Sequence, residues 1–305
     1  MKHTLKITLL MLSIFFITQI VGLAITKEYI NVREYIHPET KAVTKEIVSE
    51  DLPYNIERPK VEESTSYIWI VIAILIGTLF LLLLIKYKMI GFWKLWFFVA
   101  VLFTMSIALS AFIPQEIAAI IAFALALIKI FKPSTLMQNL TEILIYGGLA
   151  AVFVPIINIF AAFMLLISIS IYDIIAVNKT KHMVTLAKFQ AKSKVFAGLL
   201  IPYERKKSKI IATHKSEGFG EKTRLAVLGG GDIGFPLIFA GVVMKDLMLQ
   251  NPEFIGFLKT LIIPFFVTLA LAYLLFKAKQ DKFYPAMPYL SAGCIIGYFV
   301  ILFIF

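Results

Sequence analysis

Cysteine is almost missing. The 305 residues hold one, Cys294, inside an apolar run. An intrachain disulfide and a cysteine metal centre are both excluded. Histidine is nearly as scarce. His3, His37, His182 and His214 lie in loops or at the terminus, without ligand spacing. The chain therefore implies no metal and no other cofactor, and no serine nucleophile has a membrane-buried histidine beside it. Acidic residues are outnumbered, 19 against 30 basic ones, for a net charge of +11. Such a surplus can mark a nucleic-acid binder. Here the positive residues gather between apolar runs, as orientation in a membrane requires, and no nucleic-acid partner is expected. Polar surface is the largest deficit. The chain is 60% hydrophobic, with a mean hydropathy of +0.87, which excludes an ordinary soluble domain.

Several apolar runs are long enough to cross a bilayer. The expected fold class is an all-α polytopic membrane protein of nine transmembrane helices, forming one membrane domain over 1–305. The spans are expected near 7–25, 67–85, 95–112, 117–131, 140–154, 156–177, 225–244, 254–276 and 286–305. The first run is long for a signal peptide and no A-x-A site closes it, so it reads as a retained span. Spans one to six occupy 1–177 and spans seven to nine occupy 225–305. Residues 26–66 hold six Lys/Arg against nine Asp/Glu and read as an exterior loop, given local order by Tyr29, Tyr35 and Tyr54. Residues 178–224 hold twelve Lys/Arg and read as a basic cytoplasmic loop. Its first half suits an amphipathic helix on an anionic membrane face; its second half is polar. Trp93 and Trp96, with Lys94, mark an interfacial belt. Lys129 is expected to close the fourth span, Glu142 to be solvated or paired, and Lys245-Asp246 to be an exposed pair in a turn. The N-terminus and the loops after even-numbered spans carry most of the Lys and Arg. That bias places the N-terminus in the cytoplasm and the C-terminus outside.

Two spans carry acids within the apolar segment. Asp232 follows Gly229, Gly230 and Gly231 and precedes Pro236. An ionisable group at that depth costs roughly 2.5–3.5 kcal/mol on the insertion scale, so a functional reason is the default. Three glycines remove side chains where another backbone could come close. Asp173 lies in the sixth span, six residues before Lys179. If both segments are helical, the two acids lie at similar depth from the 178–224 loop. Two carboxyls in contact share one proton and titrate as a unit. The ionised one can take a proton from water while the protonated one polarises a peptide carbonyl, which is aspartyl proteolysis. A proton- or cation-coupled transporter or channel could use the same acids. A prepilin-type peptidase shares the Gly-x-Gly-Asp signature but not this span order. Pro285-Ala286-Met287-Pro288 opens the ninth span on the same side. A substrate helix must be opened before it is cut, and an exposed edge near the acids could hold it by strand addition.

Tyr172-Asp173, then Gly229-x-Gly231-Asp232, then Pro285-Ala286-Met287 resemble the three signatures of presenilin and signal peptide peptidase, the GxGD intramembrane aspartyl proteases. The archaeal presenilin homologues are the most similar. The resemblance covers all three motifs and the nine-span plan, nearly the whole chain. It implies that Asp173 and Asp232 are catalytic. It places Tyr172, Gly229, Gly230, Gly231, Pro285, Ala286 and Met287 around the substrate. The family pattern has leucine where this chain has Met287, a volume-conserving exchange. The partners it implies are the bilayer and protein substrates with a transmembrane helix, type I by the expected orientation. Self-association and self-cleavage within 178–224 are left open.

Overall fold

The structure, a computed structural model, describes residues 5–36, 43–179, 186, 189–190, 193, 195–202, 225–278 and 284–304. The expected amphipathic helix and self-cleavage segment lie mostly or wholly outside these residues.

The described helices are α1 (Leu5–Lys27), α2 (Ser66–Lys86), α3 (Ile90–Ser110), α4 (Gln115–Phe131), α5 (Thr135–Phe153) and α6 (Ile159–Asn178). They continue with α7 (Gly230–Gln250), α8 (Glu253–Thr260), α9 (Ile262–Lys277) and α10 (Met287–Ile304). Seven stretches are long and apolar enough to cross a membrane, α8 and α9 counting as one. α4 has only 17 residues, and α7 carries Asp232, Lys245 and Asp246. Their places in the bundle complete the nine-span plan.

α7 is the centre. It packs against α1, α5, α6 and α10 and is apolar on all sides from Ile233 to Met244, which suits a helix with no lipid face. Phe239 and Met244 are among its buried residues. α2 is the opposite case. Only Ser66 and Leu84 are buried, so lipid is its main neighbour. Small residues set the closest approaches. At Gly148 an added methyl would stand 1.8 Å from the Thr104 carbonyl oxygen, so α5 and α3 touch backbone to backbone there.

Beyond α1 lies an antiparallel hairpin, β1 (Ile30–Ile36) with β2 (Val43–Ser49), in the register Ile30 opposite Ser49. Tyr29 and Tyr54 tie this segment down. The Tyr29 hydroxyl donates to the Ile107 carbonyl at 2.7 Å, and burial pushes its pKa up to about 12 against the opposing influence of Arg58. The Tyr54 hydroxyl donates to the Gln115 carbonyl at 2.7 Å, and Tyr35 pairs with Thr44 in the hairpin.

Three expectations need correction. The seventh span does not begin as a helix. Residues 225–229 form β4 (Leu225–Gly229), paired antiparallel with β3 (Gly198–Pro202), and the helix then runs on to Gln250. Lys245 is therefore helical. It is buried, and its ammonium donates to the Ile157 carbonyl at 2.9 Å and to Glu63 at 3.2 Å. The eighth span breaks at Leu261 into α8 and α9, because Pro264 has no N–H to give the carbonyl one turn back. Lys129 lies in the last turn of α4, as a residue closing that span should, and its side chain is buried; Trp93 is buried too and stacks on Trp96 at 5.6 Å.

Candidate active site

Asp232 occupies the third position of α7, behind Gly229 at the N-cap. Its carboxylate accepts a hydrogen bond from the Gly229 backbone N–H. This is half of a capping box: an acid at N3 reaches back to the N–H of the cap. A methyl group on Gly229 would stand 3.3 Å from the Asp232 Oδ2, so the bare cap leaves room for that return bond. Strand residues advance about 3.3 Å each against 1.5 Å in a helix. Asp232 is therefore deeper relative to Leu225 than a continuous helix would put it.

Asp173 lies one turn before the end of α6 and is 4% exposed. Its Oδ2 accepts from the Met287 N–H at 3.1 Å, and the Ala286 N–H also donates to the carboxylate. The first N–H groups of a helix have no partner within it. Asp173 supplies one to α10 from another helix. Pro285 has no N–H, so the first free donors of this segment are those of Ala286 and Met287. One turn earlier, Ser170 and Ser291 join α6 to α10 at 2.8 Å. Tyr172 points elsewhere. Its hydroxyl meets Thr78 of α2 at 3.0 Å.

α6 and α7 pack side by side, and Asp173 is near enough to Asp232 to act on it electrostatically. The arrangement thus brings together Asp173, Asp232, Gly229, Ala286 and Met287, with Pro285 adjoining. Gly231 is exposed. Gly230 faces α5, where an added methyl would stand 2.5 Å from the Tyr146 hydroxyl oxygen.

The β3–β4 ribbon leads directly into this site, and the sequence reading did not find it. Gly198 pairs with Gly229 and Leu200 with Val227. Leu200 gives its N–H to Asn139 Oδ1 at 2.9 Å and takes Asn139 Nδ2 on its carbonyl at 2.8 Å. Both its backbone groups therefore point away from β4. In an antiparallel ladder the opposite residue, Val227, must then point its own groups to the other side. The Gln138 amide donates to the Phe196 and Gly198 carbonyls at 2.8 and 3.0 Å. The side of β3 away from β4 is thus covered by α5, while Val227 is 48% exposed on the outer side of β4.

Behind the ribbon, Lys129 of α4 and Glu142 of α5 form an ion pair at 2.7 Å with 2% and 1% side-chain exposure. Gln138 donates to Glu142 at 2.7 Å. The signal for this cluster was present, since charges inside apolar spans are costly and need partners.

A protein-family model described as signal-peptide peptidase, presenilin aspartyl protease, matches residues 42–305. Two solved structures share the fold, each described as a presenilin family intramembrane aspartate protease, one in a C222 and one in a P2 space group. The first has a TM-score of 0.60 at 18% identity, covering 96% of this chain and 99% of that one. The second has a TM-score of 0.58 at 19% identity, covering 99% and 98%. Among curated protein sequences no match is found.

Proposed function

Because the chain belongs to the signal-peptide peptidase and presenilin family of aspartyl proteases, we propose that Asp173 and Asp232 are the two acids with which it cuts. It is a multi-pass intramembrane aspartate protease. The observation that carries the assignment is the convergence of three distant segments. The end of α6 brings Asp173, the start of α7 brings Asp232, and the start of α10 donates the Met287 N–H to Asp173. No other part of the described residues joins two acids in this way to the start of a third helix.

The chemistry follows from the pair. One carboxylate is ionised and takes a proton from water. The other, protonated, donates a hydrogen bond to the scissile carbonyl, and water attacks without a covalent intermediate. The peptide must reach the acids with its hydrogen bonds opened. The outer side of β4 offers Val227 N–H and C=O to an extended segment, which gains ladder bonds as its helix is lost. Only Gly230 and Gly231 separate Gly229 from Asp232, so a segment paired along β4 is delivered to the acids. The substrates are membrane proteins with a transmembrane helix. The distribution of Lys and Arg supports a cytoplasmic N-terminus and an exterior C-terminus, and hence type I substrates. Pro285, Ala286 and Met287 act by holding Asp173, and Gly229 by freeing the cap for Asp232.

The test uses the full chain in proteoliposomes with a tagged single-span substrate. Fragments are expected. Asp173→Asn and Asp232→Asn should each reduce them to background, and a transition-state analogue of aspartyl proteolysis should block the wild type. Fragments that persist in either asparagine variant would remove that residue from the dyad.

A further inference from the structure

Resting on the dyad just assigned, we propose that Tyr146 is a positioning residue for Asp232. Its ring fills the notch left open at Gly230, and its hydroxyl couples Asp232 to the buried Lys129–Glu142 pair.

Three observations meet at this side chain. The first is steric. Tyr146 of α5 is 5% exposed and leans on the first turn of α7. A methyl on Gly230 would stand 2.5 Å from its hydroxyl oxygen and 3.3 Å from two ring carbons, and one on Gly234 would stand 3.7 Å from another. Real Cβ contacts do not come to 2.5 Å, so α7 can approach α5 this closely only with glycine at 230. The ring and the glycine are therefore complementary halves of one joint, two residues from Asp232.

The second observation is polar. The Tyr146 hydroxyl is sealed in and makes no hydrogen bond of ordinary geometry. It is nevertheless within reach of the Glu142 carboxylate, at less than good geometry, and near enough to Asp232 to feel its charge. Glu142 lies one turn before Tyr146 on α5, so the two share a helix face. A buried hydroxyl without a settled partner is in an unfavourable position. The disadvantage is removed when the hydroxyl donates to whichever carboxylate is the better acceptor at that moment. A donor that can turn between Glu142 and Asp232 suits an acid whose charge alternates during turnover.

The third observation is what fixes Glu142. Lys129 donates to Glu142, Gln138 and Thr141 at 2.7, 3.0 and 2.9 Å, using all three ammonium protons. Glu142 also receives the Gln138 amide at 2.7 Å. The ion pair is thus a fixed post and Tyr146 a lever pivoting between it and Asp232. Among the described residues the charged groups facing this joint are Lys129 from α4, Glu142 from α5, Asp173 from α6 and Asp232 from α7.

Tyr146→Phe keeps the ring and removes the lever. With no ordinary hydrogen bond lost, the protein should fold and melt like the wild type. Cleavage of the single-span substrate should show kcat lowered about tenfold to a hundredfold, the size expected when a reacting group is slightly misplaced. KM should change little, and the pH profile of kcat should be displaced, because one donor to Asp232 is gone. Wild-type kcat with an unmoved pH profile would overturn the proposal. A purely architectural tyrosine would instead lower the melting temperature and leave the profile in place, which overturns it equally. A thermal cycle decides the steric half without any cleavage. Gly230→Ala should cost clearly less stability in the Tyr146→Phe background than alone, since the oxygen it strikes has been removed. Equal costs in the two backgrounds would show that the ring and the glycine are not joined. Asp232→Asn in the same assay separates the premise from the inference. If it still cleaves, the dyad itself fails, and the thermal cycle still judges the joint.

Discussion

At the scale of single residues, the buried ion pair decides most. Lys129 and Glu142 are almost wholly buried, so each is the other's main replacement for water. Removing one partner of such a pair costs roughly 3–5 kcal/mol, whereas replacing both by apolar groups is often neutral. Lys129→Met should therefore lower the unfolding midpoint sharply, and Lys129→Met with Glu142→Leu should recover most of the loss. A double variant as unstable as the single one would show that the Gln138 and Thr141 contacts matter more than the charges. Gly148 is the other sensitive position. Gly148→Ala drives a methyl into the Thr104 carbonyl, and overpacking of this kind costs about 1–3 kcal/mol. The sequence shows an ion in each of two neighbouring spans, but not which way each points. Lys129 is two residues from the end of α4, where lysine usually reaches for the interface. Only the partner on α5 turns it inward.

At the scale of elements, the ribbon ahead of α7 is what sequence reasoning could not separate from the helix. LAVLG is apolar throughout, and a run that short has no period to distinguish a strand from a buried helix. The two acids needed no such distinction. Their cost in the membrane marks them whatever the local backbone is, and the motif order carried the rest. Pairing of β3 with the Asn139 amide was likewise out of reach, since 61 residues separate Asn139 from Leu200. If that amide holds the ribbon against α5, Asn139→Ala removes two hydrogen bonds at about 1 kcal/mol each. The result should appear as a KM raised about tenfold with kcat less affected, measured on the same single-span substrate. A loss confined to kcat would mean that the ribbon positions Asp232 and not the peptide.

At the scale of the whole molecule, burial is unevenly shared. α7 is enclosed by protein, while α2 meets mostly lipid and, among the described residues, is tied in by polar contacts of two kinds. One is Thr78 to Tyr172, the neighbour in sequence of Asp173. The other is Glu63, just ahead of α2, to Lys245 of α7. Regions with few buried contacts open first. Hydrogen exchange in detergent should therefore label the amides of α2 well before those of α7, and Lys245→Met should widen the gap. Equal protection of both helices would contradict this ranking. The nine-span plan was readable because each span is its own apolar run. Which span lies at the centre was not, since composition ranks α2 as more hydrophobic than α7. A helix that faces lipid needs more apolar surface than one that faces other helices.

Among the described residues the ribbon is closed on one flank by a side-chain amide and open on the other. A sheet of that kind can grow by a single guest and then stops, because nothing lies beyond its sealed flank to pair with. An enzyme that cuts within the membrane meets sticky apolar chains all the time. Copies of this one that couple through β4 would stop at a pair, because the far flank of this ribbon is already taken by α5.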